Sequence, residues 1–176
     1  MDSAASGLRW LDRNLERILI VIAYGTMSTI IFVEVIQRFA FHTQTPWSTT
    51  IPVYLFIWIT WLGASWNVRL RSHLAFTELR ARMPYWAQYA CVNLDHILWI
   101  GFGLMVINYS VGIIELLHMN FAIVPGTDHV MQWWFYLAIP VGWSLLILRC
   151  VQNMVEDARR FWRQEPFVTI GAIAAN

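Results

Sequence analysis

The stretch from Pro46 to His73 constrains the fold of this chain more than any other part of the sequence. It contains an apolar run, residues 51–66, that has no ionisable side chain and is followed by two arginines. Such a run predicts a membrane-spanning helix, although about 16 residues at 1.5 Å each reach only about 24 Å. We expect the polar residues that follow Trp47 to add the missing turn at the membrane interface, where an indole ring is favoured. Pro52 would then lie in the first turn, where its missing N–H costs little.

The composition of the whole chain agrees with a membrane location. Hydrophobic residues make up 58% of the 176 residues, charged residues only 13%, and there are 11 tryptophans. A soluble domain averages about 25% charged residues, and indole rings are enriched at the boundary between lipid and water. The formal net charge of +1 gives no reason to expect a nucleic-acid partner.

Three further apolar runs complete the predicted fold, an all-α integral membrane protein with one four-span domain over residues 1–176. Span three, at about 88–117, is longer than the hydrocarbon layer is thick, so that helix must tilt or protrude. Amphipathic segments at residues 1–17 and 73–83 are expected to lie on the cytoplasmic membrane surface. The spans are expected at about 18–39, 51–67, 88–117 and 131–151.

The distribution of arginine predicts the orientation. All 12 basic residues are arginine, and every one except Arg38 lies in the N-terminal segment, around the loop after span two, or from the inner end of span four to the C-terminus. By the positive-inside rule both termini are expected in the cytoplasm. The first span is interpreted as uncleaved, because a long charged region precedes it and no A-x-A site follows. Cys91 and Cys150 are expected to be free thiols in a reducing compartment.

Short motifs recur in order along these spans, and together they resemble a known family, the small membrane subunit of the tripartite ATP-independent periplasmic (TRAP) transporters. Each motif is weak alone, but the order and spacing over four spans are specific. The motifs are Gln37-Arg38-Phe39 closing span one, Pro46-Trp47 before span two, Tyr54…Trp58…Leu62-Gly63-Ala64 within it, His73 in the basic loop, Leu79…Met83-Pro84, and Trp133…Tyr136…Ile139-Pro140-Val141-Gly142 in span four.

Two departures from the family pattern stand out. The family usually has an acidic residue shortly after the tryptophan that opens span two, whereas this chain has Ser48, Thr49 and Thr50 there. The family also tends to have an aspartate after the loop histidine, where this chain has Thr77 followed by Glu78.

The resemblance implies a subunit with no catalytic, cofactor-binding or metal-binding residues, located in the bacterial inner membrane. It implies two protein partners: a large multi-span subunit that carries substrate and sodium, and a periplasmic binding protein that delivers an organic acid. In that picture the small subunit is a fixed scaffold that braces the large elevator-type subunit, and membrane lipids are a further partner. We expect the separate form, which is not fused to the large subunit.

The polar residues within the spans are expected to pin helices together, because an unpaired charge near hydrocarbon is costly. Arg38 is predicted to pair with Glu34 or Glu115 at the outer ends, and Asp95 with Arg149 at the inner ends. Small residues are expected to permit close helix packing, either within the unit or against the large subunit. These small residues are Gly63, Ala64, Ser65, Gly101, Gly103, Gly112 and Gly142.

Two other classes of function remain as alternatives. A small four-helix proton-coupled efflux pump would use Glu34 as its coupling acid, which requires an unpaired carboxylate at mid-membrane. A haem-carrying membrane bundle would require facing histidines inside the spans as axial ligands. His96 is the one histidine placed within a predicted span, and a polar partner near the cytoplasmic boundary is the interpretation we favour for it.

Overall fold

Helices make up nearly all of the computed structural model, which describes residues 2–70 and 83–165, with side chains from Asn14 onward. Four helical segments in this part are long and apolar enough to cross a membrane, Asn14–Ala40, Trp47–Arg69, Tyr85–Met119 and Trp133–Trp162. The predicted all-α fold with four spanning helices is therefore confirmed. In chain order the helices are α1 (Asp2–Ala40), α2 (Trp47–Arg69), α3 (Tyr85–Met119), α4 (Trp133–Tyr136) and α5 (Ala138–Trp162).

The long helices stand in an open row rather than in a closed bundle. Helix α1 packs on α2, α2 packs on α5, and α5 packs on α3. Between α1 and α3 there is no comparable interface in the described part of the chain. The spatial order α1–α2–α5–α3 therefore places the first and third helices at opposite ends of the row.

Helix α1 contacts the rest of the row along a single narrow seam. Its less exposed residues recur every three or four positions, which keeps them on one side of the helix. From residue 17 onward the remaining circumference is exposed and mostly apolar, for example Phe32, which is 65% exposed. The seam has a carboxylate near each end and is formed by Glu16, Ile20, Ala23, Met27, Ile30, Glu34 and Gln37.

Helix α2 begins earlier than its apolar run, which corrects one sequence expectation. The helix starts at Trp47 with Pro46 as its N-cap residue, so the polar flank is indeed helical. Pro52 consequently lies inside the helix, beyond the first turn. Because proline has no N–H, the carbonyl of Ser48, four residues earlier, lacks its usual helical donor.

The fourth membrane segment is interrupted near its start. Helix α4 ends at Tyr136 and α5 begins at Ala138, with Leu137 between them in a helical conformation. Pro140 cannot donate to the carbonyl of Tyr136, which accounts for the break at this point. Helix α5 then continues to Trp162, beyond the predicted end of span four at residue 151.

The core of the row lies where α2, α3 and α5 meet, around Trp143. The Trp143 ring lies 5.5 Å from that of Trp61 and 5.9 Å from that of Trp99, between centroids. Two glycines make these contacts possible. A Cβ atom at Gly142 would lie 2.5 Å from the Cβ of Trp61, and one at Gly103 would lie 2.8 Å from the Trp143 ring.

The loop between α3 and α4 folds back onto the start of α2. Its side chain Val124 is completely buried, and its backbone N–H donates to the carbonyl of Val130 at 2.8 Å. Gly126 has φ +85°, and a Cβ there would lie 2.5 Å from the carbonyl carbon of Pro46. Only glycine combines this backbone conformation with such a close approach.

Candidate functional site

A buried carboxylate on α1 joins three helices near their arginine-rich ends. Glu16 Oε1 accepts a hydrogen bond from Arg149 Nε on α5 at 2.9 Å and another from the Ser65 hydroxyl on α2 at 3.0 Å. Its other oxygen lies 3.5 Å from Arg69 Nη1 at the end of α2. Glu16 therefore ties α1 to both of the helices that follow it in the row.

The surroundings of Glu16 make these contacts energetically important. The side chain is completely buried, and that of Arg149 is 3% exposed. An ion pair in such a setting is strongly destabilising to break, because the remaining charge stays desolvated. Glu16 was not among the residues singled out from the sequence. The signal that could have identified it is its spacing of four from Ile20, which places it on the packing seam of α1.

A second buried polar contact joins α3 to α5 at the same end. His96 Nε2 lies 3.5 Å from Asp157 Oδ2, and both side chains are almost completely buried. Close to it, the Asn153 side-chain amide donates to the backbone carbonyl of Val68 at 2.9 Å, which joins α5 to α2. The interpretation of His96 as a polar partner between helices agrees with this geometry.

Toward the other end of α1, Glu34 accepts hydrogen bonds from hydroxyl groups. Its Oε2 accepts hydrogen bonds from the Ser48 hydroxyl at 2.5 Å and the Thr45 hydroxyl at 3.1 Å. The Ser48 oxygen also lies 2.6 Å from the Thr45 carbonyl. Ser48 is one of the three residues in the stretch where the resemblance implies an acid, and in this chain the carboxylate of the contact comes from α1 and the hydroxyl from α2.

This arrangement corrects the ion pairs expected at the outer ends. Among the described residues Arg38 makes no ion pair with Glu34, whose carboxylate is turned toward Ser48. A pair between Arg38 and Glu115 is also absent, because α1 and α3 are at opposite ends of the row. Arg38 instead lines a shallow surface pocket with the residues that follow it, including His42.

The expected partner of Arg149 is also revised in part. Arg149 pairs with Glu16, and its Nη1 donates to Gln152 Oε1 at 2.7 Å. Asp95 lies on α3 beside Trp99 and Phe102, in a pocket of about 280 Å³. The pairing of Asp95 with Arg149 stays a prediction.

The remaining predicted site residues lie in different parts of the row. Trp47 opens α2 and is 40% exposed, and Pro140 lies near the start of α5. A Cβ at Gly63 would meet nothing within 4 Å, so a methyl group there would not clash within the row. His73 lies outside the described residues.

These polar clusters connect helices to one another or to a neighbouring loop. Within the described residues no group of three or more His, Cys, Asp or Glu side chains could hold a metal ion. The carboxylates of Glu16 and Glu34 accept hydrogen bonds from neighbouring helices or loops. Each contact lies near one end of the spanning helices, and the core between the two ends is apolar and aromatic.

Comparison with known proteins gives consistent relatives. The C4-dicarboxylate TRAP transporter small permease protein DctQ of Rhodobacter capsulatus is 28% identical over 185 aligned residues, covering 86% of this chain and 79% of that protein. The isethionate TRAP transporter permease protein DctMQ of Oleidesulfovibrio alaskensis is 23% identical over 172 residues. That alignment covers 90% of this chain but only 26% of the relative.

A family model gives the assignment. The model for the DctQ component of the tripartite ATP-independent periplasmic transporters matches residues 27–160. This range runs from the middle of α1 almost to the end of α5, and so includes Glu34, the aromatic core and Arg149. The chain therefore belongs to the DctQ family of small TRAP transporter subunits.

Proposed function

We propose that this chain is the fixed scaffold subunit of a sodium-coupled TRAP transporter that takes up an organic acid. It would brace a large elevator-type membrane subunit, to which a periplasmic binding protein delivers the substrate. The substrate class is supported by the names of two relatives, which refer to C4-dicarboxylate and to isethionate, both organic acids. As a member of a transporter family with four spanning helices, the chain is a multi-pass inner-membrane protein.

The open row of helices is the observation that supports a scaffold most. Helix α1 has one seam with α2, and its other sides are exposed apolar surface, including Val21 and Ile22 at 63% and 60% exposure. A row of this kind leaves long faces that either lipid or another membrane protein must cover. A flat subunit with extended free faces is suited to lie along the side of a larger one.

The distribution of polar side chains supports the same proposal. A substrate site in a transporter is usually lined by convergent polar groups near the middle of the membrane. Here the buried charged residues join neighbouring helices near one end of those helices: Glu16 pairs with Arg149, and Asp157 lies 3.5 Å from His96. The groove between α3 and α5, of about 490 Å³, is lined mainly by apolar residues such as Val111 and Leu145.

The orientation belongs to the proposal as well. With both termini in the cytoplasm, the Glu16 cluster lies at the cytoplasmic end, where arginine is favoured. Glu34, Arg38 and the loop that covers Pro46 then lie at the periplasmic end. In this orientation the binding protein approaches the loops beside Trp47, and the large subunit contacts the faces of the spanning helices.

Co-purification tests this function directly. An affinity-tagged copy of this chain is expressed together with the large subunit of the same transporter, and both are recovered from detergent. We expect the two chains in equal amounts, and a Gly142→Leu variant, which separates α2 from α5, should recover less of the large subunit. A Gly25→Leu variant is the matched control, because a Cβ at Gly25 meets nothing within 4 Å. Purification of this chain without the large subunit would contradict the proposal.

A further inference from the structure

One side of α3 combines small and polar residues that face away from the row. Five residues, Gly101, Met105, Asn108, Gly112 and Glu115, are all exposed and follow one another at intervals of four and three. This spacing keeps them on one side of the helix, which we call the α3 free face. The opposite side carries the buried residues of α3 that pack toward α5.

The depth of this face in the membrane follows from the aromatic residues at its end. His118 contacts Trp133, with 5.6 Å between ring centroids, and tryptophans of this kind mark the membrane interface. At 1.5 Å per residue, Asn108 lies about 15 Å along the helix from His118, and Glu115 about 4.5 Å. In a hydrocarbon layer of about 30 Å, Asn108 is therefore near the middle and Glu115 just inside the boundary.

Neither polar side chain has a partner in the part of the chain that the structure describes. Asn108 and Glu115 make no hydrogen bond or ion pair there, whereas Glu16 and Glu34, the other glutamates of the first three spans, are both engaged. A polar group left in hydrocarbon without a partner is costly. The two residues therefore require a contact from outside the row.

The glycines on the same face permit a close approach. A Cβ at Gly101 or Gly112 would meet nothing within 4 Å, in contrast to Gly103, which lies against Trp143 and Ile147. Small residues combined with polar ones are typical of helix contacts in lipid. Beside the face, the groove between α3 and α5 has Glu115 and Ser144 among its lining residues.

We propose that the α3 free face docks one membrane helix of the large TRAP subunit. That helix carries a cationic side chain opposite Glu115 and an amide or hydroxyl opposite Asn108. The identity of the partner rests on the proposed function, whereas the need for a partner rests on the geometry of the face.

Charge and depth favour this occupant over two others. A second copy of this chain in the same orientation, docked face to face, would bring two Glu115 carboxylates to the same depth, where like charges repel. A lipid headgroup remains at the interface and does not reach Asn108, about 15 Å inside. A helix of the large subunit, with a different sequence, can place a polar partner opposite both Glu115 and Asn108.

Photo-crosslinking in the intact complex tests the proposal. Met105, at 56% exposure, is replaced by p-benzoylphenylalanine, and Tyr24 on α1, at 60% exposure, is the control position. We expect an adduct with the large subunit from position 105 and a much weaker one from position 24. An adduct between two copies of this chain, or with lipid only, would overturn the proposal. Crosslinking from position 24 alone would overturn it too, while leaving the scaffold function intact.

Substitution of the polar residues provides a second test with two readouts. Asn108→Leu and Glu115→Leu remove groups that have no partner in the isolated chain, so its thermal stability should stay the same or rise. Recovery of the large subunit should nevertheless fall about three- to tenfold, because hydrogen bonds between membrane helices are lost. Ser28→Leu, at an exposed position of α1, is the matched control. Unchanged recovery in both variants would exclude this face.

Discussion

Arg149 Nε lies 2.9 Å from Glu16 Oε1, so a buried ion pair connects the last long helix to the first. The two residues come from helices that share no extensive interface of their own. Their contact spans the side of α2, whose Ser65 and Arg69 bind the same carboxylate. Glu16 thereby holds one end of the α1 seam, and Glu34 holds the other end through its hydrogen bond from Ser48.

Breaking this pair is expected to destabilise the chain substantially. Glu16→Ala leaves the buried Arg149 without its carboxylate, at a cost of about 3–5 kcal/mol. Unfolding of the purified protein in mixed micelles measures this loss. In a double-mutant cycle with Arg149→Ala, the two losses should be strongly non-additive. Additivity within about 0.5 kcal/mol would show that the pair contributes little.

A double-mutant cycle of Asp95→Ala with Arg149→Ala tests the pair predicted from the sequence.

Introducing an acid into the first turn of α2 should be unfavourable in this chain. Ser48→Asp places a second carboxylate within hydrogen-bond distance of Glu34, where the Ser48 hydroxyl now donates. Repulsion between the carboxylates should lower the stability by about 1–3 kcal/mol. The effect should largely disappear when Glu34→Gln is introduced together with it. If Ser48→Asp alone is as stable as the unmodified chain, the Glu34 contact is unimportant.

Two glycines should respond in opposite ways to the same small substitution. Gly142→Ala forces a methyl group to 2.5 Å from the Trp61 Cβ, so α2 and α5 must move apart at a cost of about 1–3 kcal/mol. Gly25→Ala meets nothing within 4 Å and removes a residue of poor helix propensity, so stability should stay equal or rise. Thermal denaturation of both variants provides the comparison. Equal losses for the two would contradict the packing described around Trp61.

The orientation is tested by chemical labelling from the periplasm. In a background of Cys91→Ser and Cys150→Ala, single cysteines are introduced as Gly7→Cys, Ala172→Cys and Asp128→Cys. An impermeant maleimide should label only the last, in the loop between α3 and α4, because the other two are predicted to be cytoplasmic. Labelling at position 7 or 172 in intact spheroplasts would reverse the assignment.

The sequence predicts the four spans well, since apolar length and the absence of charge determine which segments enter the membrane. It does not predict the order of the helices in space, because all the lipid-facing sides are similarly apolar. The expected pair of Arg38 with Glu115 was wrong for this reason, because Glu115 is on the far side of the row. The expected pair with Glu34 was wrong because Glu34 accepts a hydrogen bond from Ser48 instead. Glu16 was missed because it lies in a segment interpreted as an interfacial helix.

Reconstituted transport tests the scaffold function most directly. Proteoliposomes are prepared with the large subunit alone and with the large subunit plus this chain, and sodium-dependent uptake is measured with the binding protein supplied outside. The scaffold account predicts substrate-specific uptake only when this chain is present, and reduced uptake with the Glu16→Ala variant. Full, substrate-specific uptake by the large subunit alone would contradict it.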